Sequence, residues 1–314
     1  MGDKMTLIYI EDTNYLKKII YLFKKSEISF TTNLNDNFDS ILISELNNRT
    51  LNLVKKYYLN KRIIFWFHLE EIRFCYNYTK QNKSSLIYKN KLFEILNLCT
   101  DIVVSLPFFK NLFEKKLRKS IYVIPRINNK IFSIKTRGLC KKYNLAKNMK
   151  KILVIDYNYQ YLEWIYSLAS NYKKIEFIYI DYTPEFRLTN RKQQLLKNKP
   201  SNIKIETIFF EDIFLELLSL SDMVIYLSDL YDYNYLSSAL LMKKIVFVKN
   251  FYAFESFLVN SKNCYIFDSS NELNKKVGKI LNNRISNLSE NGYELVKNNN
   301  ISQIVYMLNQ YFKK

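Results

Sequence analysis

The chain holds a single histidine, His68, which closes the apolar run RIIFWF and is followed at once by Leu69, Glu70 and Glu71. A histidine at the carboxyl end of a strand can donate a hydrogen bond to a phosphate or hydroxyl oxygen, or titrate near neutrality. It can equally be a satisfied histidine at the edge of a core. A second polar group, Asp229, Asp232 and Asn234, lies in YLSDLYDYNYLSS. These side chains can accept hydrogen bonds from a hydroxylated ligand, or the segment is a polar surface loop. One histidine with distant acids gives neither zinc spacing nor an Asp-x-Asp cluster, so no metal site is expected. Cys75, Cys99, Cys140 and Cys264 are scattered without a CxxC pair and read as buried free thiols.

A third feature is PFFKNLFEKKLRK at 107–119, where Phe108, Phe109, Leu112 and Phe113 fall at helical spacing among Lys110, Lys115, Lys116, Arg118 and Lys119. Such a helix can lie on an anionic bilayer surface, or it can cover a sheet and leave a solvated basic face. The net charge is +19. Much of it is lysine, and the excess travels with Asn, Ile, Tyr and Phe, residues of A/T-rich codons. Codon bias explains a general excess better than it explains asymmetry: residues 1–150 carry 28 Lys and Arg against 12 Asp and Glu, whereas 151–314 carry 20 against 17. The first half is therefore expected to face something negative. Nucleic acid is not the expected partner, because the aromatics sit inside apolar segments and no zinc-finger, RNP-like or helix-turn-helix signature occurs.

The elements that must position these groups follow from pattern. At 314 residues, 48% hydrophobic and 16% aromatic, the chain is long enough for two folded domains and too apolar for disorder. Its 25% charged residues exclude a multi-span membrane protein, and four Gly and four Pro without a repeat exclude collagen-like and solenoid readings. The opening MGDKMTLIYIEDTNY contains acids and lacks a signal-peptide pattern. A cytoplasmic location, or a peripheral one on the cytosolic face of a membrane, is expected.

Short β-branched and aromatic runs at 7–10, 40–43, 62–67, 101–105 and 120–124 alternate with helix-length segments, and the pattern returns at 151–155, 175–180, 203–207, 222–227, 244–249 and 263–267. Helices are expected near 158–170, 211–220, 234–242, 252–260 and 270–283. Continuous apolar runs, not alternating ones, indicate parallel strands covered on both faces. The reading is α/β with two doubly wound, Rossmann-like domains: 1–135, a linker at 136–150, 151–285, and terminal helices at 286–314 returning toward the first domain. Two such domains usually leave a cleft at the carboxyl ends of their strands. The turn after the first strand reads EDTNY, without a Gly-x-Gly-x-x-Gly fingerprint, which argues against NAD, FAD and P-loop chemistry.

The segment order resembles the GT-B glycosyltransferases of the retaining, nucleotide-sugar-dependent, Glu-x7-Glu group, over nearly the whole chain. IIFWFHLEE (63–71) falls where that family has a hydrophobic strand ending in His-Asp or His-Gly, and DIVVSLPFFKNLFEKK (101–116) resembles its strand, serine and helix. SIYVIPRINNKIFS (120–133) is similar to "V-I-P-N-G-x-D-x-x-x-F", and RGLCKKYNLAKNMKKILVID (137–156) to "R-x-x-L-G-x…I-L-x-V-G". IKIETIFFEDIFLELLSLSDMVIYLSDLY (203–231) resembles the segments leading to "A-D-V-x-V-x-P-S", and SSALLMKKIVFV (237–248) falls on "E-A-M-A-x-G-x-P-V".

The departures are specific. Leu230 and Ser238 stand where the family has its two glutamates, with Asp229 and Asp232 beside the first position. DYNYQYLEW (156–164) lacks the basic pair that holds the donor's phosphates, and the glycine of the "V-I-P-N-G" segment is Ile127, after Arg126. The resemblance implies a sugar transferred from a nucleotide-sugar to a lipid-linked or surface-polysaccharide acceptor, with no cofactor besides the donor. His68, Asp229 and Asp232 are then the catalytic candidates, and Arg126, Asn234 and Ser238 the donor-binding ones. The alternative is a non-catalytic GT-B-like subunit that binds a partner glycosyltransferase or an acceptor protein.

Overall fold

The computed structural model describes residues 4–69, 74, 77, 82–125, 136–156, 161–181, 197–207, 211–227, 233–251, 258–297 and 301–312. The chain divides into two compact units, Met1–Ile127 with Asn299–Lys314, and Asn128–Asn298.

The first unit is built on strands β1 (Thr6–Tyr9), β2 (Phe30–Thr31), β3 (Ser40–Ile43), β4 (Arg62–Trp66), β5 (Asp101–Val104) and β6 (Ser120–Val123). They form one sheet in the order β2-β1-β3-β4-β5-β6, every pair parallel. β3 and β5 are buried at every position, as a sheet covered on both faces requires. The covering helices are α1 (Thr13–Lys25), α2 (Asn48–Tyr57), α3 (Lys83–Leu98) and α4 (Pro107–Glu114). Their starts are fixed locally: Asp12, Asn47 and Asn82 each accept a backbone N–H from the third residue onward, satisfying an amide that the first turn leaves open. Phe67 and Phe74 each meet Phe109 and Phe113 edge to face, with Phe67 and Phe113 centroids 5.0 Å apart. A second cluster joins Ile8, Leu42, Ile64, Trp66 and Val103 of the strands to Ile19 and Phe23 of α1.

The second unit contains α5 (Leu139–Lys142), β7 (Lys150–Ile155), α6 (Leu162–Asn171), β8 (Ile175–Asp181), β9 (Ile203–Thr207), α7 (Glu211–Leu220), β10 (Met223–Tyr226), α8 (Tyr233–Leu241), β11 (Ile245–Lys249), β12 (Tyr265–Phe267), α9 (Ser270–Leu281) and α10 (Ser289–Val296). Its strands run β12-β11-β10-β7-β8-β9, again all parallel. Ile152 and Val154 of β7, Phe177 and Tyr179 of β8 and Ile225 of β10 pack with Leu162, Ile165 and Leu168 of α6 and with Leu273 and Val277 of α9. The last helix, α11 (Ile301–Phe312), belongs to the first unit, where Ile304, Leu308 and Phe312 join the cluster around Phe23.

The structure bears on several of the sequence expectations. Residues 128–150 contain seven basic residues and no acid, and they lie in the second unit. Counted by structural unit, the first carries 23 Lys and Arg against 12 acids and the second 25 against 17, so most of the charge asymmetry came from where the chain was cut. Of the two readings left open for 107–119, the structure has the sheet-covering helix: Phe109 and Phe113 of α4 are fully buried. The segment 286–314 is split, with α10 in the second unit and α11 in the first. Of the helix expected near 252–260, residues 252–257 lie outside the described residues, and 258–260 are not helical.

Candidate functional site

In an open parallel sheet, ligands gather outside the carboxyl ends of the strands where the winding direction reverses, because two loops diverge there and leave a crevice. In the first unit the reversal falls between β1 and β3. The chain leaves β1 through Glu11 and Asp12 and leaves β3 through Ser44, Glu45, Leu46 and Asn47. The two exits are tied together: the Asp12 backbone N–H donates to Glu45 Oε1 at 2.6 Å. Asp12 caps α1 and Asn47 caps α2, so two helix N-termini begin at this edge. An open pocket of about 410 Å³ lies here, lined by Glu11, Leu46, Asn47, Asn48, Arg49 and Lys91. Arg49 Nη1 is 3.6 Å from Glu11 Oε1, and Lys91 Nζ donates to Asn48 Oδ1 at 2.5 Å. A carboxylate, two amides and two cations around a space of this size suit a hydroxylated ligand that can also carry negative charge.

His68 sits in a single 3-10 turn (Phe67–Leu69) at the carboxyl end of β4. Its ring stands edge-on to Trp66 with centroids 5.3 Å apart, and the residue is only 3% exposed. It is outside the walls of the pocket.

In the second unit the reversal falls between β7 and β10. Asp156 leaves β7 and is buried, and its Oδ2 accepts the Tyr161 backbone N–H at 2.9 Å and the Tyr179 hydroxyl at 2.6 Å. The carboxylate thereby fixes the start of α6 against β8. The Tyr161 ring lies 5.0 Å from Trp164 and 5.1 Å below the ammonium of Lys249, the last residue of β11. Ser237 and Ser238 are buried on α8, so the position that resembles the second glutamate is closed to solvent. Asp229, Asp232 and Arg126 lie outside the described residues, and Asn234 is placed on α8 by its backbone alone.

Of the basic residues of 107–119, Lys115, Lys116 and Arg118 are exposed, and Lys116 lies over the Phe93 ring. Lys110 pairs with Glu114, and Lys119 donates to the Asn97 and Cys99 carbonyls at the end of α3. Burial pulls the Lys119 ammonium below its ordinary range. Among the described residues no group of three His, Cys, Asp or Glu is assembled, and no helix is long and apolar enough to cross a membrane.

Sequence reasoning passed over Glu11, Asn48, Arg49, Lys91 and Lys249. A usable signal existed for the first three: each follows an expected strand within a few residues, beside a helix-capping Asp or Asn. For Lys91 and Lys249 the local sequence carries none, since one is a mid-helix lysine and the other ends a strand distant in the chain.

Two six-stranded parallel sheets, one per unit and each reversing direction beside its first strand, constitute the GT-B fold. Solved structures of that fold match this chain end to end. Sucrose-phosphate synthase from Thermosynechococcus elongatus has a TM-score of 0.74 at 10% identity, covering 99% of this chain and 98% of its own. A glycosyltransferase from Rickettsia africae gives 0.67 at 15% identity over 100% and 98%. HepE from Anabaena, in complex with UDP-glucose, gives 0.69 at 10% identity over 99% of both chains. No family model and no curated protein matches the sequence.

Proposed function

We propose that this chain is a glycosyltransferase that takes a sugar from a nucleotide-sugar and passes it to a lipid-linked or surface-polysaccharide acceptor. The observation that carries the reading is that the switch point of each sheet is furnished with polar groups in a fold that, in HepE, was solved with UDP-glucose. The pocket beside β1 and β3 is assigned to the acceptor: Asn47, Asn48 and Glu11 can meet hydroxyls, and Arg49 and Lys91 an anionic carrier. The edge beside β7 and β10 is assigned to the donor. When the sugar departs, negative charge grows on the diphosphate, and a cation or a helix N-terminus such as that of α8 stabilises it. Asp229, Asp232 and Asn234 are assigned to the sugar hydroxyls and Arg126 to the phosphates, and the reading needs no cofactor besides the donor. His68, being buried, acts in this reading by holding the end of β4, and it reaches a ligand only if the turn opens.

Contact with an anionic membrane surface belongs to the proposal in reduced form. It rests on Lys115, Lys116 and Arg118, which are exposed, and not on the inward-facing phenylalanines of α4. One observation favours a second reading, a non-catalytic subunit bound to a partner glycosyltransferase: the two glutamate positions are Leu230 and the buried Ser238. Incubation with UDP-, GDP-, ADP- and CMP-linked radiolabelled sugars, with polyprenyl-phosphate and oligosaccharide acceptors, separates the two. Label entering an acceptor supports transfer. No transfer from any donor, with stable co-purification of a second glycosyltransferase, supports the subunit.

A further inference from the structure

Departure of a nucleoside diphosphate needs positive charge at the donor edge, and the segment after β7, DYNYQYLEW, contains none. The strand register shows where a cation comes from. Tyr226 of β10 lies level with Ile155 of β7, and Val248 of β11 lies level with Tyr226. The next residues, Asp156, Leu227 and Lys249, therefore form one row at the carboxyl edge, and the Leu227 N–H donates to the Ile155 carbonyl at 2.9 Å. In a parallel sheet, residues at one level project to the same face. Asp156 projects toward the start of α6, and Lys249 projects the same way.

β10 stands between β11 and β7, so the outer two strands are about 10 Å apart at the usual spacing. Tyr161 follows β7 and Lys249 ends β11, yet the ammonium lies 5.1 Å from the Tyr161 ring. The lysine and Tyr161, at the start of α6, are brought together at the carboxyl edge. The lysine's charge is thereby held at that edge of the sheet, against the ring of a residue whose backbone N–H donates to the Asp156 carboxylate. The lysine is half-buried, so its field is less screened than that of a surface side chain.

We propose that Lys249 is a phosphate-contacting cation of the second unit, taking from β11 the role that a basic residue after β7 would otherwise fill. The inference rests on the nucleotide-sugar reading above and adds the residue that compensates the diphosphate. An ammonium lying against a ring can also donate a charge-assisted hydrogen bond to a phosphate.

Calorimetric titration of the full chain with UDP and with uridine tests it, using wild type, Lys249→Met, Lys249→Arg and, as a distant control, Lys262→Gln. Lys249→Met keeps the apolar stem, and a thermal melt matching wild type establishes that it folds. The expected result is a loss of UDP affinity of about tenfold or more in Lys249→Met, with a shallower dependence on salt. Lys249→Arg should retain most of the affinity, and Lys262→Gln and uridine binding should be unaffected. UDP bound equally well by wild type and Lys249→Met, with the same salt dependence, overturns the role of Lys249 alone. Wild type binding neither UDP nor GDP, ADP or CMP overturns the nucleotide-sugar reading and this inference with it. If Lys249→Met does not fold, the salt dependence of wild type against Lys249→Arg decides: weak, salt-independent UDP binding by both overturns the proposal.

Discussion

Arg62 lies with its guanidinium carbon 4.6 Å from the centroid of the Tyr311 ring, joining the first residue of β4 to the last helix of the chain. The same guanidinium donates through Nε to Asp101 Oδ2 at 2.7 Å, and the Tyr122 ring lies tilted against Tyr311 with centroids 4.3 Å apart. Arg62 and Asp101 at the amino ends of β4 and β5, with Tyr122 of β6, thus present a receptor for α11. Burial pushes the Tyr311 hydroxyl far above its ordinary range.

The terminal helix should therefore contribute heavily to the stability of the first unit. Tyr311→Ala removes a buried ring and should cost about 3–4 kcal/mol. Arg62→Ala leaves the buried Asp101 without its charged donor and should cost about 2 kcal/mol. Urea denaturation followed by far-UV circular dichroism measures both. An unchanged midpoint for Tyr311→Ala would show that α11 is dispensable to the unit.

Two of the thiols should be inert. Burial pushes the Cys264 thiol up to about 12 and raises that of Cys99 further, so neither forms the thiolate that attacks an alkylating agent. Iodoacetamide at pH 8 followed by peptide mass spectrometry should leave both unmodified in the folded protein and modify both after urea is added. Native labelling at the unfolded rate would mean that these positions are open to solvent.

Glu216 on α7 should give stability a measurable acid limb. Its carboxylate accepts from Lys142 Nζ at 2.5 Å and from the Tyr143 hydroxyl, tying α7 to α5, and these hydrogen bonds hold it below its ordinary 4.5. A carboxyl depressed in the folded state contributes stability above the unfolded value, and that contribution disappears as pH falls through the folded one. Glu216→Gln should thus cost about 1 kcal/mol at pH 7, since the Lys142 side is half exposed. The difference from wild type should shrink below about pH 4.5. A difference that stays constant down to the acid transition would assign the effect to packing instead.

The sheets were legible because their strands are continuous β-branched and aromatic runs, and such runs have few alternatives at that length. β2 was not, since Phe30 and Thr31 are too few to make a pattern, and pairing with β1 alone defines them. The position of His68 at a strand end could be read from RIIFWFH, whereas its burial depends on Trp66 and on neighbours that local sequence does not name. The aromatic face of α4 fitted a bilayer and a core equally well in sequence. Phe67 and Phe74, from other segments, decide for the core. Lys249 was invisible for a topological reason: only the order β11-β10-β7 brings it to the loop after β7.

The central claim is that this chain holds a nucleotide-sugar. Calorimetric titration of the intact protein with UDP-, GDP-, ADP- and CMP-linked sugars measures that directly. The account predicts saturable one-to-one binding of at least one of them, weakened about tenfold or more by Asp232→Ala, since a hydrogen bond from the donor to a charged group is worth about 1.5–3 kcal/mol and 1.4 kcal/mol is about tenfold. Heats of dilution alone for all four donors, from protein whose melting transition shows it to be folded, would contradict it.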